Sequence, residues 1–329
     1  MNRRTKFAVP ALTAVAALAL SACGGGSGSE GGGNAATGEF TAPENVRMIV
    51  PFSAGGGSDL AGRAIASGLE EVTDSTVTVE NITGGDGAIG YSELLASNGD
   101  PSQLLASETA LMTLPIVQDV EFTYKDFTPI MKLGDDYNVM MVRAGSPHET
   151  CIDVIEEAKE GGMITGISGA TGPEFVAWGL IEDQFDVAFE PVVFESGAEI
   201  TAALLGNHID VAMTNPGEAL GQFESGDLKP LCVLAPERYT YEPLADVPTG
   251  VEQGVDVTFA QWRGFIAPGG LSEEAKQHWV DAAKAYAETD AYDEYIESNL
   301  LQPQVLYGDE FTAFLDEYNA NLESVLGGQ

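Results

Sequence analysis

The stretch Met48-Ile49-Val50-Pro51-Phe52-Ser53-Ala54-Gly55-Gly56-Gly57-Ser58-Asp59 passes from an apolar run, through a proline and three consecutive glycines, to a Ser-Asp pair. Val46 to Val50 reads as a strand. Leu60, Ala64, Ile65 and Leu69 follow at helical spacing, with Ser58 or Asp59 as the expected cap. A glycine-rich strand-to-helix turn leaves backbone N–H groups free to meet an anion. Reading outward, the same scheme recurs. Thr76–Glu80 reads as a strand, followed by the turn NITGGDGAIG and a helix over 91–96. Gln103–Ala106 reads as a strand ending in Ser107-Glu108-Thr109. Asn138–Val142 is a strand, Thr150 caps a helix, and Met163–Ile167 leads into SGATGPEF with Pro173 at a first helical position. Val192–Phe194, the turn ESGAE and a helix over 200–205 come next, then Ile209–Met213 and TNPGE opening another helix. Beyond these, a strand is expected around Gly264–Ala267, and helices over 272–287, 292–300 and 311–325. Short apolar runs alternating with helix-period segments predict βα units and a largely parallel sheet.

The first residues set the compartment. Arg3, Arg4 and Lys6 precede the apolar stretch Phe7–Leu20, and Leu20-Ser21-Ala22-Cys23 supplies small residues before a cysteine. Residues 1–22 are expected to be a signal peptide of the bacterial lipoprotein type, with Cys23 as the lipidated residue. Residues 23–40 are mostly Gly, Ser and small polar side chains and read as a flexible linker. The remaining chain of about 290 residues is long enough for two lobes, each with its own core. No later stretch is apolar for the ~18 residues of a spanning helix, so a lipid tether and an extracytoplasmic location are expected.

The chain has 14 Lys and Arg against 51 Asp and Glu, a formal net charge of −37. Loss of the leader would remove three of the positive charges. Nucleic acid is a poor partner for such a field, and an anionic ligand would need locally concentrated donors. His148, His208 and His278 are scattered and no Cys/His cluster has ligand spacing, so no metal or other cofactor is expected. Export permits a Cys151–Cys232 disulfide, whereas the apolar run Leu231–Leu234 around Cys232 favours a buried thiol.

Four turns combine Gly with Ser or Thr before a helix start: 52–59, 107–109, 168–172 and 195–198. Ligands of open α/β sheets sit outside the carboxyl ends of the strands, where such turns gather. Asp59 is expected mainly to cap its helix. Phosphate sites fit poorly: Gly57 is followed by Ser58-Asp59 and not by Lys, and Gly85-x-Gly87-x-x-Gly90 alone is a weak dinucleotide signal. No nucleophile elbow or histidine-paired serine or cysteine appears, so no catalytic residue is assigned.

Taken in order, IVPFSAGGGSDLAGR, VENITGGDGAIG, DFTPI, GISGATG, ALLGNHIDVAMTNPGE and WRGFIAPGG resemble the Bug-type extracytoplasmic receptors of tripartite tricarboxylate transporters. The resemblance runs from about Val46 to the end. It implies an α/β type II periplasmic-binding-protein fold, with two lobes and a hinged cleft crossed twice by the chain: 41–136 in lobe 1, 137–234 in lobe 2, and 235–329 returning to lobe 1. It implies a monomeric receptor, not an enzyme, that hands a small di- or tricarboxylate to a large and a small permease subunit. The substrate-binding residues expected on this reading are Phe52, Ser53, Ala54, Gly55, Gly56, Gly57, Ser58, Asp59, Ser107, Thr109, Ser168, Gly169, Ala170, Thr171, Gly172, Gly197 and Asn215. Glu195 stands in a third turn where the family often has Pro-Tyr-x-Gly; it either faces solvent or rejects highly charged anions. Arg263 reads as a structural ion pair ahead of a ligand contact. A sensor handing occupancy to a signalling partner, or an enzyme on the same fold, are the alternatives. A neighbouring permease gene or a reactive triad in the cleft would separate them.

Overall fold

The computed structural model describes residues 40–169, 172–194 and 196–326. The expected leader and linker, Cys23, Ala170, Thr171 and Glu195 lie outside the described residues. Residues 40–329 group as one unit, built on a six-stranded, a three-stranded and a two-stranded sheet.

In the first half, β1 (Asn45–Val50), β2 (Thr76–Asn81) and β3 (Gln103–Glu108) alternate with helices α1 (Gly57–Val72), α2 (Ala88–Ala96) and α3 (Ala110–Val117). The long β4 (Phe127–Tyr137) then leads, through Asn138 alone, into β5 (Val139–Arg143). The middle of the chain holds α4 (Cys151–Ala158), β6 (Ile164–Ile167), α5 (Pro173–Phe185), β7 (Glu190–Val193), α6 (Gly197–Leu205), β8 (Ala212–Thr214), α7 (Pro216–Ser225) and β9 (Leu228–Val233). The tail adds β10 (Ala260–Pro268), α8 (Glu273–Tyr286), α9 (Asp290–Ser298), β11 (Gln302–Tyr307) and α10 (Gly308–Leu326).

The first sheet has the order β11-β4-β10-β3-β1-β2. β1 pairs in parallel with both β2 and β3, as the βα pattern requires, whereas β10 enters antiparallel between β3 and β4. The second lobe has β8-β5-β9 and β6-β7, bridged by a parallel Thr165–Val211 contact. Here β5 is the reversed strand, antiparallel to both neighbours. Each sheet is therefore parallel except where the chain arrives from the other lobe, and at the β11 edge. That is the two-lobed type II arrangement: β4 runs into β5 at one crossing, and the chain returns into β10 at the other.

Both faces of the first sheet are covered. Ile65 and Leu69 of α1 meet Trp279 and Tyr286 of α8 over Met48 and Val50 on one face. Tyr91, Leu111, Trp262, Phe311 and Leu315 belong to the cluster on the other. Each of these side chains is essentially solvent-free, and full burial of one such side chain is worth about 1.5–3 kcal/mol. Segment 235–259, assigned by the sequence reading to the return into lobe 1, packs Tyr239, Leu244 and Val247 against Val139, Ile200 and Leu204 of the second lobe.

Cys151 and Cys232 form a disulfide with a Cα–Cα distance of 6.0 Å, an ordinary span for the bond. The expectation of a buried free thiol is corrected here. Both residues are fully buried, so an apolar neighbourhood did not distinguish thiol from disulfide. The first residue of α4 is thereby fastened to β9.

Candidate functional site

A cleft of about 620 Å³ opens among the turns that follow β1, β2, β6, β7 and β8. Residues 52–58 line one side, together with Gly84–Gly87. Ser168, Gly169, Gly172, Phe194, Ser196, Gly197 and Asn215 line the other. Four helices start here: α1 after Gly56, α5 after Gly172, α6 after Ser196 and α7 after Asn215. The first N–H groups of a helix have no acceptor inside it. Gly57 and Ser58 hold these positions in α1, with Gly56, not the expected Ser58 or Asp59, as the N-cap. The helix dipole adds a partial positive charge at each start.

Asp59 sits behind this turn and does not line the cleft. It is 2% exposed. Its carboxylate accepts hydrogen bonds from Gly55 N at 2.9 Å, Arg63 Nε at 2.9 Å and Asn81 Nδ2 at 2.9 Å. Asn81 Nδ2 also donates to the Phe52 carbonyl at 3.0 Å. Burial raises the Asp59 pKa, but Arg63, Gly55 and Asn81 together outweigh it and hold the group below the usual carboxylate range. Asp59 thus holds Gly55 N directly and the Phe52 carbonyl through Asn81, and Gly56 N closes on Ser53 O at 3.5 Å.

Ser107 and Thr109 are also displaced from the expected site. Both are buried; Ser107 Oγ lies 3.2 Å from Tyr91 Oη, and Thr109 Oγ1 lies 3.1 Å from Tyr318 Oη. Successive residues of a strand point to opposite faces, which separates Ser107 from Glu108, the last residue of β3; Glu108 reaches the cleft, and Thr109 already caps α3. Of the expected residues 107–109, neither Ser107 nor Thr109 lines the cleft.

Glu108 belongs to a buried network that the sequence pattern did not expose. Arg263 Nη1 donates to Glu108 Oε2 at 2.5 Å, and Nη2 donates to Asp136 Oδ2 at 2.9 Å. Ser58 Oγ donates to Glu108 at 2.9 Å, and Gln261 Nε2 also donates to it. Arg263 Nη1 reaches Ser58 Oγ at 3.2 Å. Arg263 therefore joins β3, β4 and the start of α1 as an ion pair at the cleft floor. Its guanidinium is already matched by two carboxylates. Burial raises the Glu108 and Asp136 pKa values against the pull of Arg263, Asp136 to about 6.

On the opposite wall, Glu174 is 2% exposed. It accepts from Ser168 Oγ at 2.5 Å and from Ser168 N at 3.3 Å, closing the 168–174 turn. Burial raises its pKa. Glu218, in the first turn of α7, is pushed to about 8 by burial and by the nearby Glu174, with Arg263 opposing. The charged side chains of the cleft wall are thus Asp86, Glu108, Glu174, Glu199, Glu218 and Arg263. Among the described residues no group of three or more His, Cys, Asp or Glu could hold a metal ion, and no helix is long and apolar enough to cross a membrane.

Comparison with known proteins agrees with this architecture. Residues 61–326 match the model of the tripartite tricarboxylate transporter family receptor. Protein BugT of Bordetella pertussis is 24% identical over 258 residues, covering 75% of this chain and 78% of that protein. A solved TctC solute-binding protein from Polaromonas is 26% identical, with a TM-score of 0.71 over 87% of this chain and 98% of its own. The structure of R. palustris Rpa4515 with adipate is 21% identical, with a TM-score of 0.79 over 86% and 96% of the two chains. Two lobes, two crossings and a cleft ringed by helix starts, together with a family match spanning most of the chain, make this protein a member of the tripartite tricarboxylate transporter receptor family, whose members are solute-binding receptors and not enzymes.

Proposed function

We propose that this receptor captures a small carboxylate in the cleft and delivers it to a tripartite tricarboxylate-type membrane transporter of one large and one small subunit. The supporting observation is the Phe52–Ser58 turn. Its backbone N–H groups sit at the start of a 16-residue helix, on the wall of the cleft, and Asp59 satisfies the turn only from behind. Charge-assisted bonds from such donors to an anion are about twice as strong as neutral ones. Ser168, Gly169, Gly172 and residues 196–198 face the same space and are read as the opposing half of the site. Ala170 and Thr171 are included on sequence grounds alone. Asp59, Ser107 and Thr109 take supporting positions behind it. Phe52 and Phe194, both on the cleft wall, are suited to flank the apolar part of a ligand. Adipate in Rpa4515 is a carboxylate of suitable size.

Thermal melting with a panel of di-, tri- and aromatic carboxylates tests this, since a ligand that binds only the native state raises its stability. A concentration-dependent rise in melting temperature with one carboxylate class is expected. A flat response across the panel would reject it. On the same reading the protein is extracytoplasmic and tethered by lipid at Cys23. Cys23→Ser should release it from the membrane fraction, and an unlipidated wild-type N-terminus in mass spectrometry would reject the tether.

A further inference from the structure

The proposed ligand is an anion, yet the wall that meets it is crowded with acids. Arg263 is the one cation of the cleft wall among the described residues, and Glu108 and Asp136 already match its guanidinium. Hydrogen-bond donors decide which of the surrounding carboxylates stays ionised, since a buried charge without donors is costly. Glu108 accepts from Arg263, Ser58 and Gln261. Asp136 Oδ2 accepts from Arg263 Nε at 3.2 Å and from Nη2 at 2.9 Å. Glu174 accepts from the Ser168 hydroxyl and N–H. These three acids have donors but share one guanidinium, so the wall is net negative before a ligand arrives.

Glu218 is the exception. It occupies the third position of α7, where a capping carboxylate would reach back to Asn215 N. It makes no such bond, and its carboxyl has no hydrogen-bond or ion-pair partner among the described residues. It packs instead on Gly197 at the start of α6, where a Cβ would overlap it, and both residues line the cleft. The charges facing it are Glu174 of α5, Asp136 of β4 and Glu108 of β3, with Arg263 of β10 opposing. From the other elements packed on α7, Glu199 of α6 stands on the exposed rim, and Lys229 of β9 is paired with Glu149 at 2.7 Å. The lack of a donor and the three like charges favour the neutral carboxyl, in line with its raised pKa. A neutral carboxyl has an O–H to donate, whereas the ionised form only accepts. An arriving carboxylate therefore gains a donor from neutral Glu218 and meets a fourth like charge in ionised Glu218.

We propose that the receptor binds its ligand together with a proton held on Glu218, so that loading is linked to pH. This rests on the carboxylate reading above and adds a proton as a second bound species, whatever the ligand's other groups. The sign follows from linkage: an anion beside Glu218 tightens its hold on the proton, and by reciprocity the proton tightens the hold on the anion. Below about pH 8 Glu218 is neutral with or without ligand, and affinity is flat. Above that the free receptor is ionised and each capture takes up one proton. Affinity then falls about tenfold per pH unit until the bound form titrates as well.

Calorimetry tests this with the tightest carboxylate of the panel that has no group of its own titrating between about pH 6 and 10. Titrations in two buffers of different protonation enthalpy count the protons taken up. About one is expected at pH 9 and close to none at pH 6.5, with affinity at pH 9.5 roughly tenfold or more weaker than at pH 7. Circular dichroism at pH 9.5 checks that the protein is still folded. Glu218→Gln, which is neutral at every pH, should abolish the uptake at pH 9 and bring the two affinities to within about threefold of each other. The wild-type proton count stands whether or not that variant folds. If the wild type takes up no proton at pH 9, or if Glu218→Gln still takes one up, the inference is overturned and the carboxylate reading stands. If no carboxylate binds at any pH, the carboxylate reading falls and the inference with it.

Discussion

Gly56→Asp separates binding from folding most cleanly. Gly56 is the N-cap of α1, with φ −83° and ψ 172°, a conformation open to any residue. A Cβ there would have only Ser53 O within 4 Å, at 3.7 Å. Aspartate is among the best N-caps and exceeds glycine by a few tenths of a kcal/mol, so the fold should be retained. Its carboxylate would accept the same first-turn N–H groups that are proposed to hold the ligand. Two charge-assisted bonds at about 1.5–3 kcal/mol each would be lost to the ligand. A ligand carboxylate at about 4 Å would in addition meet a like charge, on the order of 4 kcal/mol at an effective dielectric constant near 20. Even the smaller loss alone, about 3 kcal/mol, weakens binding by roughly 100-fold. Titration calorimetry reads the affinity and thermal melting reads the fold. A variant that melts like the wild type and binds within threefold of it would refute the role given to the α1 turn.

Three further outcomes follow from the buried chemistry. Glu218 titrates near 8 in the folded protein, above the ordinary 4.5. A raised acid makes the fold less stable as pH climbs from about 4.5 to 8, because the native state holds its proton longer. Glu218→Gln should therefore leave stability at pH 5 nearly unchanged and raise it at pH 9 by on the order of 1–3 kcal/mol, discounted for partial exposure of the carboxylate; equal effects at both pH values in denaturant melts would contradict the burial argument. Arg263→Met would leave Glu108 and Asp136 buried without their counter-ion, at a cost of about 3–5 kcal/mol, and urea unfolding at pH 7 should show it. The Cys151–Cys232 bond spans 81 residues, so replacing both cysteines with alanine should cost about 4.5 kcal/mol by the chain-entropy model; an unchanged unfolding midpoint would mean the bond constrains little.

The parts of the fold legible in the sequence are those with a period or a cap. Val46–Val50 and Met163–Ile167 are largely apolar strands between turns, Thr76–Glu80 alternates Val77 and Val79 with polar residues, and Thr150, Pro173 and Ser272 mark helix starts in the structure too. β4 was hidden because its eleven residues include Pro129, Lys132, Gly134, Asp135 and Asp136. Lys132 is fully buried, and Lys132 Nζ pairs with Asp135 at 2.8 Å. No alternation of polar and apolar residues announces a strand whose charges are matched inside the protein. β11 carries Pro303, which an edge strand tolerates. The glycine turns that line the candidate cleft were legible, since glycine runs show in the sequence. The network around Arg263 was not, because its members come from β3, β4 and β10, and only tertiary structure brings Glu108, Asp136 and Arg263 together. A signal existed at one position: Arg263 is one of few cations in a strongly acidic chain, and its placement inside WRGF predicted an ion pair without naming the partners.

The most direct test is a crystal structure with the tightest ligand from the carboxylate panel. The account predicts one carboxylate oxygen within about 3 Å of the Gly57 or Ser58 N–H, between the lobes, with Arg263 still paired to Glu108 and Asp136. A ligand seated outside this cleft, or one whose carboxylate has drawn Arg263 away from both acids and left the α1 turn untouched, would contradict it.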